Sequence, residues 1–372
     1  MKFIIERAVL LKTLGHVQNI VERRNTVPVL SNVRIEANNQ GISFKATDMD
    51  TEITEIVDAK ILENGAITAP AHMMYDIVRK LSDGSEVELT YPDEKDQLSI
   101  ASGRSKFSLS TIGVEDFPAI STDTLPTTFA MKCEELKDVI DRTQFAASTE
   151  ETRYYLNGLY IHPKDEGETK VLRIVATDGH RLACVETPLP EGAGSMQGVI
   201  LPRKTVGEIR KLLDDTSTEN VQISLSDSKV RFTLEDITLA SKLIDGTYPD
   251  YERVIPTDND KILELNVKAL STAVDRVSVV AERTRAIKMI TNKNHVIVTT
   301  SSPDLGSAIE EIEANYDSES LEIGYNFRYL LDILSELKGE TARFSFRDSS
   351  SPSVIHDTSD TSAIYVLMPM RV

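Results

Sequence analysis

The chain has 372 residues, 40% of them hydrophobic and 27% charged, which is ordinary for a globular protein of two or three domains. Its formal net charge of −18 argues against nucleic-acid binding over the whole surface, because phosphate groups need a positive local potential. No apolar run is long enough to span a membrane, and Glu6 interrupts the first one before a signal peptide could form. Cys133, Cys184 and the six histidines lack metal-ligand spacing, so we expect a cytoplasmic protein with reduced thiols, no metal and no cofactor.

The predicted elements are helices and short strands that alternate along the chain. Apolar residues at helical spacing predict six helices, at 7–24, 70–81, 133–147, 202–213, 266–281 and 326–337. Pro70 and Pro202 are typical of a first helical turn, and Asn326 is a typical N-cap. Period-two patterns predict antiparallel strands at 87–90, 222–225, 231–234 and 296–298, with turns at Asp83-Gly84 and Asp245-Gly246.

The chain also contains an internal repeat, which we trace through three markers. Ala46-Thr47-Asp48 recurs as Ala176-Thr177-Asp178 after 130 residues, Pro70 recurs as Pro202 after 132, and Phe117-Pro118 recurs as Tyr248-Pro249 after 131. The last two predicted helices give a fainter third copy. The repeat predicts an α+β fold of three tandem domains, each with two helices packed on antiparallel sheets. Their predicted bounds are 1–121, 127–254 and 255–372, with linkers near 121–126 and 254–260.

Positive charge is concentrated in the predicted helices. These six segments hold 15 Lys or Arg and 10 Asp or Glu. The rest of the chain holds 26 Lys or Arg and 49 Asp or Glu. One explanation is that Lys and Arg are good helix formers, although Glu is an equally good one. The other is that positive and negative charges are separated on the protein, so that the helices face a polyanion and the sheets face solvent.

Four motifs give the chain a family resemblance that runs from its first residue to its last. They are Arg153-Tyr154-Tyr155-Leu156-Asn157-Gly158, Ala176-Thr177-Asp178-Gly179-His180-Arg181-Leu182, Pro249-Asp250-Tyr251-Glu252-Arg253-Val254 and Tyr365-Val366-Leu367-Met368-Pro369-Met370-Arg371-Val372. Together they resemble the beta subunits of bacterial DNA polymerase III, the replicative sliding clamps. The resemblance implies a non-enzymatic processivity factor that forms a head-to-tail homodimer. This ring of six domains would encircle double-stranded DNA, with twelve helices lining the hole.

The resemblance also indicates which residues face DNA. A ring holds DNA by topology, so its inner helices need only a weak, sequence-independent attraction to phosphate. Helix position and the resemblance together select seven basic residues: Arg24, Arg79, Lys80, Arg203, Lys204, Arg210 and Lys211. The alternative for each is an ordinary solvated surface charge.

A peptide-binding groove is expected at the C-terminal tail. The tail is apolar and ends the chain, and an open apolar edge strand invites a partner. The resemblance implies an apolar trench for Leu or Phe side chains of partner peptides, with hydrogen-bond donors, guanidinium groups among them, at the rim for Gln or Asp. The residues carried over are Leu156, Thr177, Gly179, His180, Arg181, Leu182, Pro249, Arg253, Val254, Val366, Met368, Pro369, Met370 and Arg371, with Arg153, Asn326 and Tyr329 at the margin. Gly179 would let a partner backbone come close, whereas Val366 is equally explained as core.

The implied partners are the DNA polymerase III catalytic subunit, the clamp-loader complex, and other replication and repair proteins that carry clamp-binding motifs. The seam between subunits would join the first domain of one copy to the third domain of the next. It combines apolar contact with opposite charge, which suits an interface that must close and be opened. Its residues are Arg104, Lys106 and Phe107 on one side and Val279, Val280, Glu310 and Glu311 on the other. The alternative for Phe107 is the core of its own domain.

Two other functions fit parts of the sequence. The first is an enzyme: Asp178 with His180, or Asp48 with Asp50, has the residue types of a general base or a metal site in a hydrolase or nuclease. Those aspartates recur in repeat copies, however, without a nucleophile or a His or Cys ligand set. The second alternative is a monomeric adaptor that binds peptides and encircles nothing, which a solution mass near one subunit would favour.

Overall fold

The computed structural model describes residues 1–23, 25–92, 97–120, 125–167, 169–281 and 285–372. These residues form six α-helices and 25 strands. The helices are α1 (Arg7–Ile20), α2 (Ala71–Arg79), α3 (Cys133–Gln144), α4 (Arg203–Asp215), α5 (Val267–Ser278) and α6 (Phe327–Ser335). No described helix combines the length and apolar character needed to cross a bilayer.

The strands fall into three successive groups along the chain. The first group is β1 (Lys2–Glu6), β2 (Asn32–Asn38), β3 (Gly41–Thr47), β4 (Thr51–Val57), β5 (Lys60–Glu63), β6 (Gly65–Pro70), β7 (Glu86–Thr90), β8 (Gln97–Ser102) and β9 (Ser105–Ser110). The second is β10 (Thr127–Lys132), β11 (Gly158–Glu166), β12 (Thr169–Thr177), β13 (Arg181–Pro188), β14 (Val199–Pro202), β15 (Asn220–Leu225), β16 (Lys229–Leu234) and β17 (Ile237–Lys242). The third is β18 (Lys261–Asn266), β19 (Ala286–Asn292), β20 (His295–Ser302), β21 (Gly306–Asn315), β22 (Leu321–Asn326), β23 (Thr341–Phe346), β24 (Ser353–Asp357) and β25 (Ala363–Leu367).

Every α-helix begins at the residue after a strand ends, and this strand–helix unit occurs six times. The six predicted helices and four predicted strands are therefore confirmed; five helices are shorter than predicted, and α4 ends two residues later than predicted. Pro70 and Pro202 end strands instead of lying in the first helical turn, and Pro70 has a ψ of 111°, outside the helical range. Asn326 caps α6 as predicted, since its side chain accepts a hydrogen bond from the Arg328 N–H.

The first compact unit contains residues 1–135, 190–195 and 207–243. It holds a five-stranded sheet of order β5-β1-β7-β8-β9 and an eight-stranded sheet of order β10-β15-β16-β17-β4-β3-β2-β6, both antiparallel. In the larger sheet β17 pairs with β4, with Leu239 opposite Ile53, so strands of the first and second groups share one sheet. Helices α1 and α2 pack against each other in this unit.

The second compact unit contains residues 136–189, 196–206 and 244–372. Its strands form one sheet of twelve in the order β14-β11-β12-β13-β25-β24-β23-β18-β21-β20-β19-β22. The strand of the tail, β25, lies between β13 and β24. The expectation of an apolar edge strand at the chain end was therefore wrong for Ala363–Leu367, because both backbone edges of β25 are already paired.

One predicted turn was also wrong. Asp83-Gly84 forms a turn before β7, and Gly84 has a φ of +70°. Asp245-Gly246, by contrast, lies in an irregular segment, and no strand follows it until Lys261. An Asp-Gly pair favours a tight turn, but a hairpin also needs a second strand directly after it.

The free thiols of Cys133 and Cys184 are both buried. Across the part of the chain that the structure describes, no group of three or more His, Cys, Asp or Glu side chains could hold a metal ion.

A buried cluster of polar groups connects α1, β4 and the end of α4 within the first unit. His16 Nδ1 lies 2.8 Å from Glu55 Oε2, and His16 Nε2 lies 3.2 Å from Asp215 Oδ2. Thr13 donates to Glu55, and Lys12 donates to the Asp215 carbonyl. Burial alone would lower the pKa of His16, but the hydrogen bonds and charges of Glu55 and Asp215 outweigh it and raise the pKa above 6.5.

This cluster predicts a pH-dependent contribution of His16 to stability. Because the folded pKa is raised, the stabilisation is complete below the unfolded pKa of 6.5 and is lost as the pH rises through the folded value. We expect His16→Gln to lower Tm more at about pH 6 than at about pH 9, which thermal unfolding of both proteins at the two pH values measures. An equal Tm difference at both pH values would contradict the role of the charged imidazolium.

Candidate functional site

A buried apolar cluster in the second unit brings three of the predicted groove residues together. Leu156, Leu182 and Val366 belong to it and are at most 5% exposed. Leu182 on β13 and Val366 on β25 lie directly opposite each other. Val366 is therefore a core residue, which was one of the two explanations that its sequence position allowed. It also belongs to the floor of the candidate site. The other buried members of the cluster are Val175, Cys184, Ile200, Tyr248 and Tyr251.

The Ala-Thr-Asp motif forms a hairpin turn between β12 and β13. Thr177 Oγ1 donates to the Arg181 carbonyl (2.7 Å) and accepts the Gly179 N–H (3.1 Å). Asp178 Oδ1 accepts the N–H groups of His180 and Arg181, at 2.9 and 3.0 Å. Residues 47–51 repeat this pattern between β3 and β4. The motif thus encodes a turn, and the Asp178 carboxylate is engaged in that turn.

Gly179 has a backbone conformation that favours glycine. Its φ is +87°, in the left-handed region. A Cβ at this position would lie 2.9 Å from Arg153 Nη1, the atom that donates to the Asp178 carbonyl at 3.4 Å. Arg153 therefore lies over the turn.

Arg181 has a different role from the one predicted. Its side chain is only 10% exposed, and it pairs with Asp178 (3.2 Å) and Asp332. It also donates to the Phe145 carbonyl and lies over the Tyr329 ring at 4.4 Å. Because the N–H groups of its guanidinium already bind these partners, Arg181 stabilises the wall of the site instead of offering free donors at its rim. On the exposed side, His180 stacks on Tyr329 at 6.1 Å.

A second wall is the 3-10 helix Tyr251–Val254 together with Pro249. Pro249 is exposed, and Val254 is 50% exposed. The Arg253 side chain is 83% exposed and pairs with Asp250 at 2.7 Å. This wall therefore offers an apolar surface and an accessible guanidinium beside the floor residues Tyr248 and Tyr251.

The end of the chain beyond β25 closes the site. The Met368 N–H donates to the His180 carbonyl, and the Met370 N–H donates to the Gly324 carbonyl, both at 2.9 Å. A Cβ on Gly324 would lie 2.3 Å from the Met370 carbonyl oxygen, so only glycine allows this contact. Met368 is 40% exposed, Pro369 and Met370 are half-buried, and Arg371 is exposed. Asn326, at the margin, uses its side chain to cap α6.

The basic residues predicted to face DNA are largely exposed, but several have acidic neighbours. Arg79, Lys80, Arg203, Lys204 and Lys211 are exposed, Arg210 is half-buried, and Arg24 lies outside the described residues. Arg79 pairs with Asp76, Arg210 with Asp214, and Lys211 with Glu208. Within the observed helix bounds the balance is 12 basic to 10 acidic residues, so the excess falls from +5 to +2. The excess falls because α1 ends before the basic residue Arg23, α2 ends before the basic residue Lys80, and α4 extends to the acidic residue Asp215.

Five of the seven predicted seam residues are exposed, and the other two are half-buried. In the first unit, Arg104, Lys106 and Phe107 are exposed at the edge strand β9 and the turn before it. Phe107 lies opposite the buried Ile100, yet it is 38% exposed. In the second unit, Val279 is 74% exposed, Val280 and Glu310 are half-buried, and Glu311 is exposed. Glu310 pairs with Arg276 of the same chain.

Sequence reasoning missed four residues of these sites. Tyr248 and Tyr251 complete the floor, whereas in the sequence the pair Tyr248-Pro249 indicates only the repeat. Gly324, which receives the tail, has no signal in the sequence beyond being a glycine inside a strand pattern. Ile309 on β21 is 73% exposed, and an isoleucine next to Glu310 and Glu311 in an alternating strand could have indicated it.

Comparison with known proteins gives matches over the whole chain. Models of the DNA polymerase III beta subunit match residues 1–121 (N-terminal domain), 130–250 (central domain) and 252–371 (C-terminal domain). A beta sliding clamp of Caulobacter vibrioides is 50% identical over 373 residues, with both chains fully covered. The solved beta sliding clamp of Caulobacter crescentus superposes with a TM-score of 0.97 at 50% identity, covering 100% of this chain and 99% of that one. A sliding clamp of Bartonella birtlesii, solved bound to griselimycin, gives a TM-score of 0.97 at 47% identity with full coverage of both chains.

Proposed function

Since this chain belongs to the DNA polymerase III beta subunit family, we propose that it is a sliding clamp that encircles duplex DNA and tethers the replicative polymerase. Two copies join head to tail into a closed ring, and the clamp catalyses no reaction. The observation that carries the proposal is the match of all three family domains, in order, along the whole chain. The six strand–helix units support it, because they supply the twelve helices that a dimeric ring needs.

Partners bind through short peptides in the groove formed by the cluster around Leu182 and Val366, the turn at Gly179, the wall at Arg253 and Val254, and the tail at Met368 and Met370. The pliable methionines suit varied apolar side chains. The exposed Arg253 suits an acidic or amide group of the partner. The partners are the polymerase III catalytic subunit, the clamp loader, and other replication and repair proteins with such motifs.

DNA is held by topology and by weak contacts to phosphate. We assign these contacts to Arg24, Arg79, Lys80, Arg203, Lys204, Arg210 and Lys211. An overall charge of −18 discourages other nucleic acid from adhering to the exterior. The domains have the bounds 1–121, 127–254 and 255–372. We also propose a cytoplasmic location, which the buried, unbridged Cys133 and Cys184 support.

If the protein encircles DNA, it should stay bound to circular DNA and be lost from linear DNA. Protein loaded onto a nicked circular plasmid by a purified bacterial clamp loader with ATP should co-elute with the plasmid in gel filtration. Linearising the plasmid should release the protein, because a ring can slide off a free end. A protein bound by phosphate contacts alone would stay on both forms at low salt and lose about 10³-fold or more in affinity as salt rises. Equal retention on both forms, or none on the circle, would refute encirclement.

A further inference from the structure

A row of polar side chains crosses three strands beside the floor of the groove. His162 on β11 lies opposite Arg173 on β12, and Arg173 lies opposite Glu186 on β13. The row two residues further along the same strands is Tyr160, Val175 and Cys184, which belongs to or packs against the floor cluster. Side chains two residues apart on a strand share a face, so the polar row and the apolar floor are neighbours on one face of the sheet.

Arg173 is the centre of the polar row. It is 8% exposed, and its Nε donates to Glu186 Oε1 at 2.8 Å. Its Nη1 donates to Glu252 Oε1 at 2.8 Å and to the Tyr251 hydroxyl at 3.2 Å. A buried cation is costly unless it is paired, so these acceptors fix the position of Arg173, and Arg173 fixes theirs.

Tyr251 and Glu252 begin the 3-10 helix that carries Arg253 and Val254. The Tyr251 ring belongs to the floor cluster, while its hydroxyl lies 2.8 Å from His162 Nε2. Burial lowers the pKa of His162, so the neutral ring accepts from Tyr251, and its Nδ1–H donates to the Pro163 carbonyl. Lys164 gives Glu252 a second cationic partner. The first turn of this short helix is therefore held to the sheet by side chains.

We propose that Arg173 is a positioning residue for peptide binding: through Tyr251 and Glu252 it holds the wall that presents Arg253 and Val254 to the partner. This role rests on the proposed groove. Arg173 does not touch the peptide. It keeps the wall ordered before binding, so that the peptide does not have to order the wall itself.

The test measures the affinity of a fluorescein-labelled peptide with one Gln and a Leu-Phe end by fluorescence anisotropy on the full chain. Arg173→Met should weaken binding about tenfold, a size typical of coupling between connected sites, and Arg173→Lys should restore part of it. Tyr251→Phe keeps the ring and removes only the hydroxyl, so it tests the same link with little risk to folding. The matched control is Arg343→Met, which removes another strand arginine paired with the glutamate opposite it, Glu264. Its affinity should equal that of the wild type.

A double-mutant cycle separates positioning from general destabilisation. A background of Arg253→Ala with Val254→Ala removes the two side chains that Arg173 is proposed to position, so Arg173→Met should then change the affinity by less than about twofold. Unchanged affinity in both Arg173→Met and Tyr251→Phe, or effects that multiply fully in the cycle, would overturn the positioning role and leave the groove standing. If the wild type fails to bind the peptide, the groove is refuted and the positioning role falls with it.

Discussion

Deletion of Met368–Val372 is expected to abolish peptide and polymerase binding while leaving the fold and the ring intact. The last strand, β25, ends at Leu367, so the deletion removes no strand of the sheet. It removes two backbone hydrogen bonds, from Met368 to His180 and from Met370 to Gly324. Each such bond contributes about 1 kcal/mol to the free energy of unfolding, so Tm should fall only slightly.

The effect on binding should be far larger than the effect on stability. Burying an apolar side chain contributes about 1.5–3 kcal/mol, and each 1.4 kcal/mol is a factor of about ten in affinity. Losing the contacts of two methionines therefore predicts at least a roughly hundredfold higher Kd, measured by anisotropy with the labelled peptide. Met49→Ala is the matched control, since Met49 is 51% exposed and lies in the other compact unit. Unaltered peptide binding by the truncated protein would refute the groove.

Phe107→Asp is expected to convert the dimer into a monomer. The substitution puts a charge on the edge strand β9, where the proposed partner surface supplies the exposed Val279 and Ile309. A charge buried against apolar groups is costly, and loss of an aromatic anchor typically costs about 2–4 kcal/mol of binding. A head-to-tail dimer has two identical seams, so each substitution acts twice. The expected mass in light scattering falls from twice 41.3 kDa to 41.3 kDa.

The control for this variant lies at the other edge of the same sheet. Leu62 on β5 is 47% exposed, and β5 and β9 are the two edge strands of the five-stranded sheet. Leu62→Asp adds the same charge to the same sheet and should leave the mass of a dimer unchanged. A dimeric Phe107→Asp protein would remove Phe107 from the seam. A wild-type mass near 41.3 kDa would instead favour the monomeric adaptor.

Local patterns in the sequence were sufficient for the strand–helix order and for the hairpin motif. The Ala-Thr-Asp repeat identified two equivalent turns because a short hydroxyl and carboxylate bond to the backbone within four residues. The role of Arg181 could not be predicted in the same way. Its partner Asp332 lies 151 residues away, and no local pattern reports whether a guanidinium is already occupied.

The sequence by itself determined the repeat, the six helices, four of the 25 described strands and the family. The helices and strands depend on residue spacing within one element, which hydrophobic periodicity reports directly. The repeat and the family rest on short motifs. Only the tertiary structure decided that β25 is an interior strand, that Tyr251 joins the apolar floor to the polar row, and that Arg173 lies at the centre of that row. Strand order and register bring together residues far apart in the chain, and the period of a strand indicates its buried face but not its neighbour.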